Sequence, residues 1–565
     1  MKQILLLLVI VVCNHTINAQ TAAWTAKFNG SANGDDVITA MVSDAAGNVY
    51  VTGYANNGLT GTDYVTIKYN TNGNRVWMAV YDGPGSGNDA ANAICIDRSG
   101  NVYITGLSDA LTGAFIDNDA ATIKYDANGH QLWVARYDGG VGRGDAGRAI
   151  KTDDAGNVYI TGYTSERSSA HSDFNYLTVK YNASGKQQWR SVYKGPAQQP
   201  NDQNDSANAL SVDAQGNVYV TGMSNGDNDG LQNLNEDYLT IKYNASGVQQ
   251  WTERYNGPGQ QIDEAFSLVT DTRGNVFVTG LSTGSGNKDY DYATLKYDTN
   301  GNLKWTRRHS GPTIFSADFG FVVALDDSDN VIVTGTDQAK QNNEDIYTIK
   351  YSNAGVQLWA ARYDGGDNDD PSSMILDKKG NIYIAGYTTH ETTGFDAFVI
   401  KYNSDGLQQW TQEFRGSNKY AWDIWNAVAV DSLNNVYVAG YTTDNNSGAD
   451  YRVVKYSQDS LVANTNIKNS NSIAADFVLS QNSPNPFVEQ TNIFFTLQNK
   501  NSNYTDVRLW IEDASGKILN TLIDKKFLNG TYQVTWNAKN PPVGIYYCKM
   551  LCNHVLQTKK MIVIK

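Results

Sequence analysis

The sequence predicts an all-β protein: an eight-bladed β-propeller closed by its N-terminal strand and followed by a small C-terminal β-sandwich. Three observations support this prediction. One unit recurs eight times, each copy contains four strand-like segments bounded by Gly, Asn and Asp turns, and the first and last copies are incomplete in complementary ways. Charged residues make up only 18% of the chain and aromatic residues 11%, which argues against a coiled coil and against disorder.

Residues 1–19 are expected to be a secretory signal peptide. The apolar run from Ile4 to Val12 is too short for a bilayer, which needs about 20 residues, and the small residue Ala19 suits a cleavage site. The alternative is a lipoprotein leader acylated on Cys13, although Val12 stands where a small residue is normally required. The sequence contains no other long apolar run, so we expect no transmembrane segment in the mature protein.

The repeated unit is marked by the string Gly-Asn-Val-Tyr-Val-Thr-Gly at residues 47–53. Close copies follow at spacings of 51 to 60 residues, each with a Lys-Tyr pair after it and a recurring Trp beyond. In the second unit the predicted strands are residues 91–96, 102–107, 120–125 and 131–137. Four antiparallel strands repeated at this period are typical of propeller blades.

The phase of the repeats predicts how the ring closes. The chain starts on a Trp strand at Trp24 with no Lys-Tyr strand before it, and the repeats end on Lys455-Tyr456 with no Trp strand after them. Joining the two completes an eighth blade over residues 20–456 and removes the exposed sheet edges. A seven-bladed ring with a dangling unit is the alternative. The repeat resembles the SBBP-type β-propeller repeat, and this resemblance implies a bacterial propeller without implying any single activity.

The end of the chain has a different character. Residues 457–475 are rich in Asn and Ser and are predicted to be a linker, and residues 476–565 show short alternating strands. The Pro484-Asn-Pro-Phe487 and Gly544-Ile-Tyr-Tyr motifs and the terminal Lys559–Lys565 segment resemble the C-terminal sorting domain of type IX secretion substrates. The resemblance implies export through the type IX secretion machinery to the medium or cell surface of a Gram-negative bacterium. An ordinary C-terminal β domain is the alternative.

Composition and motifs narrow the chemistry. The net charge of −14 makes nucleic acid an improbable partner, and four scattered cysteines and six histidines give no disulfide framework or zinc signature. No nucleophile elbow, HExxH or P-loop is present, so no catalytic residue is assigned. Two aspartates recur in every unit, and a catalytic acid is not needed eight times, so these are expected to shape turns and pair with the repeated lysines.

Ligand binding is expected where the repeat varies, on the face that carries the loops between second and third strands and between blades. One such loop approaches the pattern of a calcium loop, with candidate ligands Asn225, Asp227, Asp229 and Glu236, although Asn replaces the usual first Asp. A solvated turn is the alternative. Calcium is the only cofactor that the sequence suggests.

A second variable segment, Tyr420-Ala-Trp-Asp-Ile-Trp425, is unusually aromatic. Tyr420, Trp422 and Trp425 are candidates for stacking on a sugar or anchoring a protein, and the alternative is that they plug the central channel. The sequence therefore favours a secreted or surface-exposed binding or adhesion module with a glycan or protein ligand. The alternatives are an extracellular polysaccharide lyase or hydrolase that uses carboxylates hidden among the many acids, and a coat protein without a ligand.

Overall fold

The structure is a computed structural model, and its described residues form two compact units, Met1–Leu461 and Val462–Lys565. The division falls inside the predicted linker. The predicted signal peptide and nearly all of the predicted linker lie outside the described residues, which are 22–58, 61–85, 87–110, 117–140, 144–165, 174–196, 204–225, 236–285, 289–312, 316–340, 343–390, 394–416, 420–444, 447–457, 477–479, 482, 485, 487–497, 504–513, 517–528, 530–538, 542–552 and 555–564.

The first unit is a ring of four-stranded antiparallel sheets, which confirms the predicted fold class. Its N-terminal strand is β1 (Ala22–Phe28). Blades 1 to 4 follow, each in chain order: β2 (Val37–Ser43), β3 (Val49–Asn56), β4 (Thr62–Tyr69), β5 (Arg75–Tyr81); β6 (Ala90–Ile96), β7 (Val102–Asp109), β8 (Asn118–Tyr125), β9 (Gln131–Tyr137); β10 (Ala146–Thr152), β11 (Val158–Thr164), β12 (Asn175–Tyr181), β13 (Gln187–Tyr193); β14 (Ser206–Val212), β15 (Val218–Asn225), β16 (Glu236–Tyr243), β17 (Gln249–Tyr255).

Blades 5 to 7 repeat this order, and blade 8 has three strands from the end of the repeats. Their strands are β18 (Asp263–Thr270), β19 (Val276–Thr283), β20 (Tyr290–Tyr297), β21 (Leu303–His309); β22 (Phe319–Leu325), β23 (Val331–Lys340), β24 (Asn343–Tyr351), β25 (Gln357–Tyr363); β26 (Asp369–Leu376), β27 (Ile382–His390), β28 (Gly394–Tyr402), β29 (Gln408–Phe414); and β30 (Asp423–Val430), β31 (Val436–Asp444), β32 (Ser447–Tyr456).

Blade 8 is completed by β1, the first strand among the described residues, as the repeat phase predicts. Strand β1 lies antiparallel to β32, with Ala26 opposite Val453, so the sheet order is β1-β32-β31-β30. Side chains also join blade 8 to blade 1 across the closure. Asn426 Nδ2 donates to the Ile38 carbonyl at 2.7 Å, and Trp24 Nε1 donates to the Thr71 carbonyl at 2.9 Å. The seven-bladed alternative is excluded.

The apolar cores lie between neighbouring blades because both faces of each inner strand are covered. Val453 belongs to the cluster shared with blade 1, whereas the next residue, Val454, belongs to the cluster shared with blade 7. This alternation is the side-chain period of a strand. Packing on both faces explains why the repeat string is apolar or small throughout, and why its strands are almost fully buried.

The repeated lysine bridges neighbouring blades. In blade 4, Lys242 Nζ lies 5.1 Å from the centre of the Tyr219 ring and donates at 3.0 Å to the Thr299 carbonyl of blade 5. The expected pairing of this lysine with the repeated aspartate is direct in blade 6, where Ile332 replaces the tyrosine and Lys350 Nζ lies 2.9 Å from Asp326 Oδ2. Elsewhere an aromatic ring of the second strand lies beneath the ammonium group, as recorded for Lys68, Lys124, Lys180, Lys296, Lys401 and Lys455.

The second unit is a β-sandwich, as predicted. A three-stranded sheet of order β33-β34-β37 and a four-stranded sheet of order β36-β35-β38-β39 share one apolar core that contains Phe495, Trp536 and Met550. The strands are β33 (Phe477–Leu479), β34 (Gln490–Leu497), β35 (Tyr504–Asp513), β36 (Ile518–Leu528), β37 (Gly530–Asn537), β38 (Gly544–Cys552) and β39 (Val555–Val563). Within the described part of the chain, no helix has the length and apolar character needed to cross a membrane.

Candidate ligand-binding face

The second repeated aspartate shapes the tight turns on one face of the ring. Asp44 accepts from the backbone N–H groups of Ala46 and Asn48 at 3.0 and 2.8 Å, and from the Tyr50 hydroxyl at 3.1 Å. Gly47 supplies the positive φ, 83°, that the turn requires. The two backbone bonds recur in the other blades, so these acids are turn-forming residues, as the repeat predicts.

The first repeated aspartate ties together the loops of the opposite face, which we call the variable-loop face. Asp145 accepts from the backbone N–H groups of Gly139, in the loop between blades, and Ser165, after the second strand, at 2.7 and 3.1 Å. Burial raises the pKa of Asp145 to about 7 despite these bonds, and burial likewise raises the pKa of Asp36 to about 6. These buried carboxylates therefore join two loops by hydrogen bonds, and they recur with the blades.

Two of the three predicted aromatic residues present their rings on this face. Tyr420 is 65% exposed and Trp422 is 54% exposed, although both are large side chains. The backbone of Trp422 is hydrogen-bonded on both sides: its N–H donates to Thr443 Oγ1 at 2.7 Å, and its carbonyl accepts from Thr443 N–H at 3.1 Å. Both rings are therefore exposed, and Trp422 is carried on hydrogen-bonded backbone, an arrangement that suits contact with a ligand.

The third aromatic residue lies elsewhere. Trp425 is fully buried between blades 7 and 8, and its ring lies 5.1 Å from that of Phe414. It therefore offers no surface to a ligand. Its position in β30 is filled by Ile, Ala, Gly or Pro in the other units, so the indole fills an inter-blade core that smaller residues fill elsewhere.

Sequence reasoning missed the residues around the exposed pair. Phe395 packs edge-on against Trp422 at 5.3 Å, and Tyr387 packs against Phe395 at 5.4 Å, which makes a continuous aromatic row. Beside it, Arg415 Nε lies 3.0 Å from Asp396 Oδ2. Phe395 could have been found from the repeat alignment, because it precedes the third-strand aspartate, but only the fold places it beneath Trp422.

The candidate calcium loop is partly described. Asn225 and Glu236 face each other at the ends of β15 and β16 as the last pair of that ladder, and both are buried. Glu236 Oε1 accepts from Asn204 Nδ2 at 3.1 Å. Asp227 and Asp229 lie outside the described residues. The structure thus brings the two outer ligand candidates together, and the calcium assignment stays a prediction.

The chain carries SBBP β-propeller repeats. The family model described as "Beta-propeller repeat" matches residues 201–228, 250–287, 359–391 and 409–446. An uncharacterized WD repeat-containing protein of Acanthamoeba polyphaga mimivirus is 23% identical over 494 residues, which cover 72% of this chain and 33% of that protein. The chain thus spans about a third of the length of this relative.

Similar solved structures are distant from this chain in sequence. A protein of unknown function from Bacteroides caccae is 13% identical, with a TM-score of 0.30 over 55% of this chain and 93% of that one. A protein of unknown function from Dyadobacter fermentans is 11% identical, with a TM-score of 0.33 over 54% of this chain and 92% of that one. The endo-arabinase of Bacteroides thetaiotaomicron is 12% identical, with a TM-score of 0.23 over 44% of this chain and 93% of that one.

Proposed function

We propose that this protein is a secreted or cell-surface β-propeller that binds a glycan or a protein without chemical turnover, after export by type IX secretion. The exposed Tyr420–Trp422 pair carries the binding part of the proposal. Two large aromatic side chains left open to water at more than half of their surface cost free energy in the unbound protein, and covering them with a ligand recovers it. Each ring has few rotatable bonds, so little side-chain entropy is lost on binding.

The surroundings of the pair support a ligand with both apolar and hydrogen-bonding groups. Phe395 backs the Trp422 ring from within, so the indole has a fixed orientation. Arg415 lies in the adjacent loop with about half of its side chain exposed, held by the buried Asp396, and it provides a charged rim. A flat apolar surface with polar groups at its edge suits the C–H face and hydroxyl groups of a sugar ring, and it also suits an aromatic-rich protein surface.

Absence of turnover is part of the proposal because many of the recurring acids of this face already hold loops together or pair with cations. Asp145 and its equivalents accept backbone N–H groups that join two loops, and third-strand aspartates such as Asp119 pair with arginine. A glycosidase needs two carboxyl groups free to exchange protons on either side of a bond. The recurring carboxylates named here are engaged in loop and ion-pair contacts, so they favour binding over cleavage.

The experiment is a screen of the purified protein against immobilised glycans and surface proteins, scored for retention and for new chain ends. We expect retention on one ligand class and no new reducing or unsaturated ends after prolonged incubation. Cleaved glycan would overturn the non-enzymatic part of the proposal. Failure to retain any glycan or protein would overturn binding and favour a coat protein.

Export is tested separately in the native host. We expect deletion of residues 476–565 to leave the propeller folded in the periplasm, because the sandwich is proposed to be what the type IX machinery recognises. Fractionation and immunoblotting of the full and truncated chains measure this. Arrival of the truncated chain in the medium or at the surface, in the same amount as the full chain, would contradict the export route.

A further inference from the structure

The third-strand aspartate, five residues before the Lys-Tyr lysine, is paired with a cation in most blades. A buried carboxylate needs such a partner because an uncompensated buried charge is costly. The pairs and their N–O distances are Arg136–Asp119 at 2.8 Å, Arg254–Asp237 at 3.0 Å, Arg308–Asp291 at 2.7 Å, Arg362–Asp345 at 2.9 Å, Arg415–Asp396 at 3.0 Å and Lys27–Asp450 at 2.8 Å.

Blade 3 shows what happens when the arginine is absent. Val192 stands at the position, three residues after the repeated Trp, where blades 2, 4, 5 and 6 have arginine. The acid is absent too, because Asn175 replaces it. A neutral amide removes the need for a cation. Across these seven blades, the carboxylate and its cation are therefore either both present or both replaced.

Blade 1 breaks this rule. Val80 stands at the arginine position, yet Asp63 keeps the acid and is only 3% exposed. Within the described residues, no Lys, Arg or His nitrogen lies within 4.0 Å of a carboxylate oxygen of Asp63. Its Oδ2 accepts from Asn57 Nδ2, and its buried Oδ1 has no hydrogen-bond partner among the described groups. Burial, with Asp82 and Asp89 adding to it, raises the pKa of Asp63.

Two more carboxylates converge on the same point. One oxygen each of Asp63, Asp82 and Asp89 lies within 4.8 Å of the others. Asp63 and Asp89 are buried and Asp82 is exposed, so the cluster opens to solvent on one side. Two equivalent clusters, around Asp119 and Asp345, have Arg136 and Arg362 in contact with their third-strand acid. Blade 1 has the acids without the guanidinium group.

We propose that a divalent cation, Ca²⁺, bound by Asp63, Asp82 and Asp89 takes the place of the missing arginine at the junction of blades 1 and 2. Three carboxylates are hard oxygen ligands, which Ca²⁺ prefers, and the open side lets water complete a coordination shell of about six to eight oxygens. The cation compensates the buried charge of Asp63 and fastens the third strand of blade 1 to the first strand of blade 2.

The test is calcium titration and thermal unfolding of the full chain after removal of metal with a chelator. We expect the native protein to bind Ca²⁺ and to unfold at a higher temperature with CaCl₂ than with EDTA. The variant Asp63→Asn, which copies blade 3, should lose at least about tenfold in affinity for this site. The variant Val80→Arg, which copies blades 2, 4, 5 and 6, should lose the response to calcium and unfold in EDTA close to the native protein in CaCl₂.

The control separates this site from the loop at residues 225–236. Substitution of Asp227 and Asp229 by Asn should leave the calcium response intact. No binding and no thermal shift in the native protein would overturn the proposal, as would a response that survives both Asp63→Asn and Val80→Arg. Since Asp63→Asn is nearly isosteric, it decides the question even where Val80→Arg fails to fold.

Discussion

A disulfide introduced between the first and last strands of the propeller, by Ala26→Cys with Val453→Cys, is expected to form spontaneously and to raise the free energy of unfolding. These residues are directly opposite in the β1–β32 ladder, and their side chains lie on the side facing blade 1. The bond closes a loop of more than 400 residues, for which chain entropy alone gives a stabilisation of about 6 kcal/mol. Peptide mapping without reductant and denaturant unfolding measure the bond and its effect.

The control moves one cysteine by a single residue. In Ala26→Cys with Val454→Cys the second side chain lies on the opposite side of β32, among the residues packed against blade 7. That variant should stay reduced and gain no stability. Equal disulfide yields in the two variants would contradict the register, and no disulfide in either would contradict closure of the ring by β1.

The substitution Trp425→Ala is expected to lower the free energy of unfolding by about 3–5 kcal/mol, because it empties a fully buried indole position between blades 7 and 8. Chemical denaturation of the propeller measures the loss. Trp425→Phe should cost much less, since a ring still packs against Phe414 and no buried indole N–H is left without an acceptor.

The matched surface change is Trp422→Ala, which removes the same side chain where it is 54% exposed, and it should cost about 1 kcal/mol or less. A loss for Trp425→Ala as small as that for Trp422→Ala would show that the indole does not fill the inter-blade core. The comparison also separates the structural tryptophan from the proposed ligand-binding one.

The sequence was enough to predict the ring because every blade repeats the same local rules. The turn-forming Asp residue and the Lys-Tyr and Trp positions recur eight times, so each copy supports the interpretation of the others. Closure also followed from the sequence, because Trp24 and Lys455 belong to halves of one unit.

The candidate sites were harder to predict because they depend on neighbours that are distant in sequence. Trp422 and Trp425 are close together in the same aromatic segment of the sequence. In the structure, Trp422 lies in the loop before β30 and is exposed, whereas Trp425 lies within β30 and is buried. The acidic cluster joins Asp63 in the third strand of blade 1 to Asp89, the residue before the first strand of blade 2, and only the paired strands and packed blades bring their oxygens together. The repeats show that Val80 replaces an arginine, but only the structure shows that this arginine pairs with the third-strand aspartate in other blades.

The measurement that tests the proposed function most directly is a binding isotherm for the ligand that the screen identifies. It compares the full chain with its double variant Tyr420→Ala/Trp422→Ala. We predict a loss of at least about tenfold in affinity, equivalent to about 1.4 kcal/mol, for the double variant. Leu433→Ala, which removes a 65% exposed apolar side chain from a tight turn on the opposite face, should bind as the native protein does. Equal affinities for the native protein and the double variant would contradict the assignment of this face as the binding site.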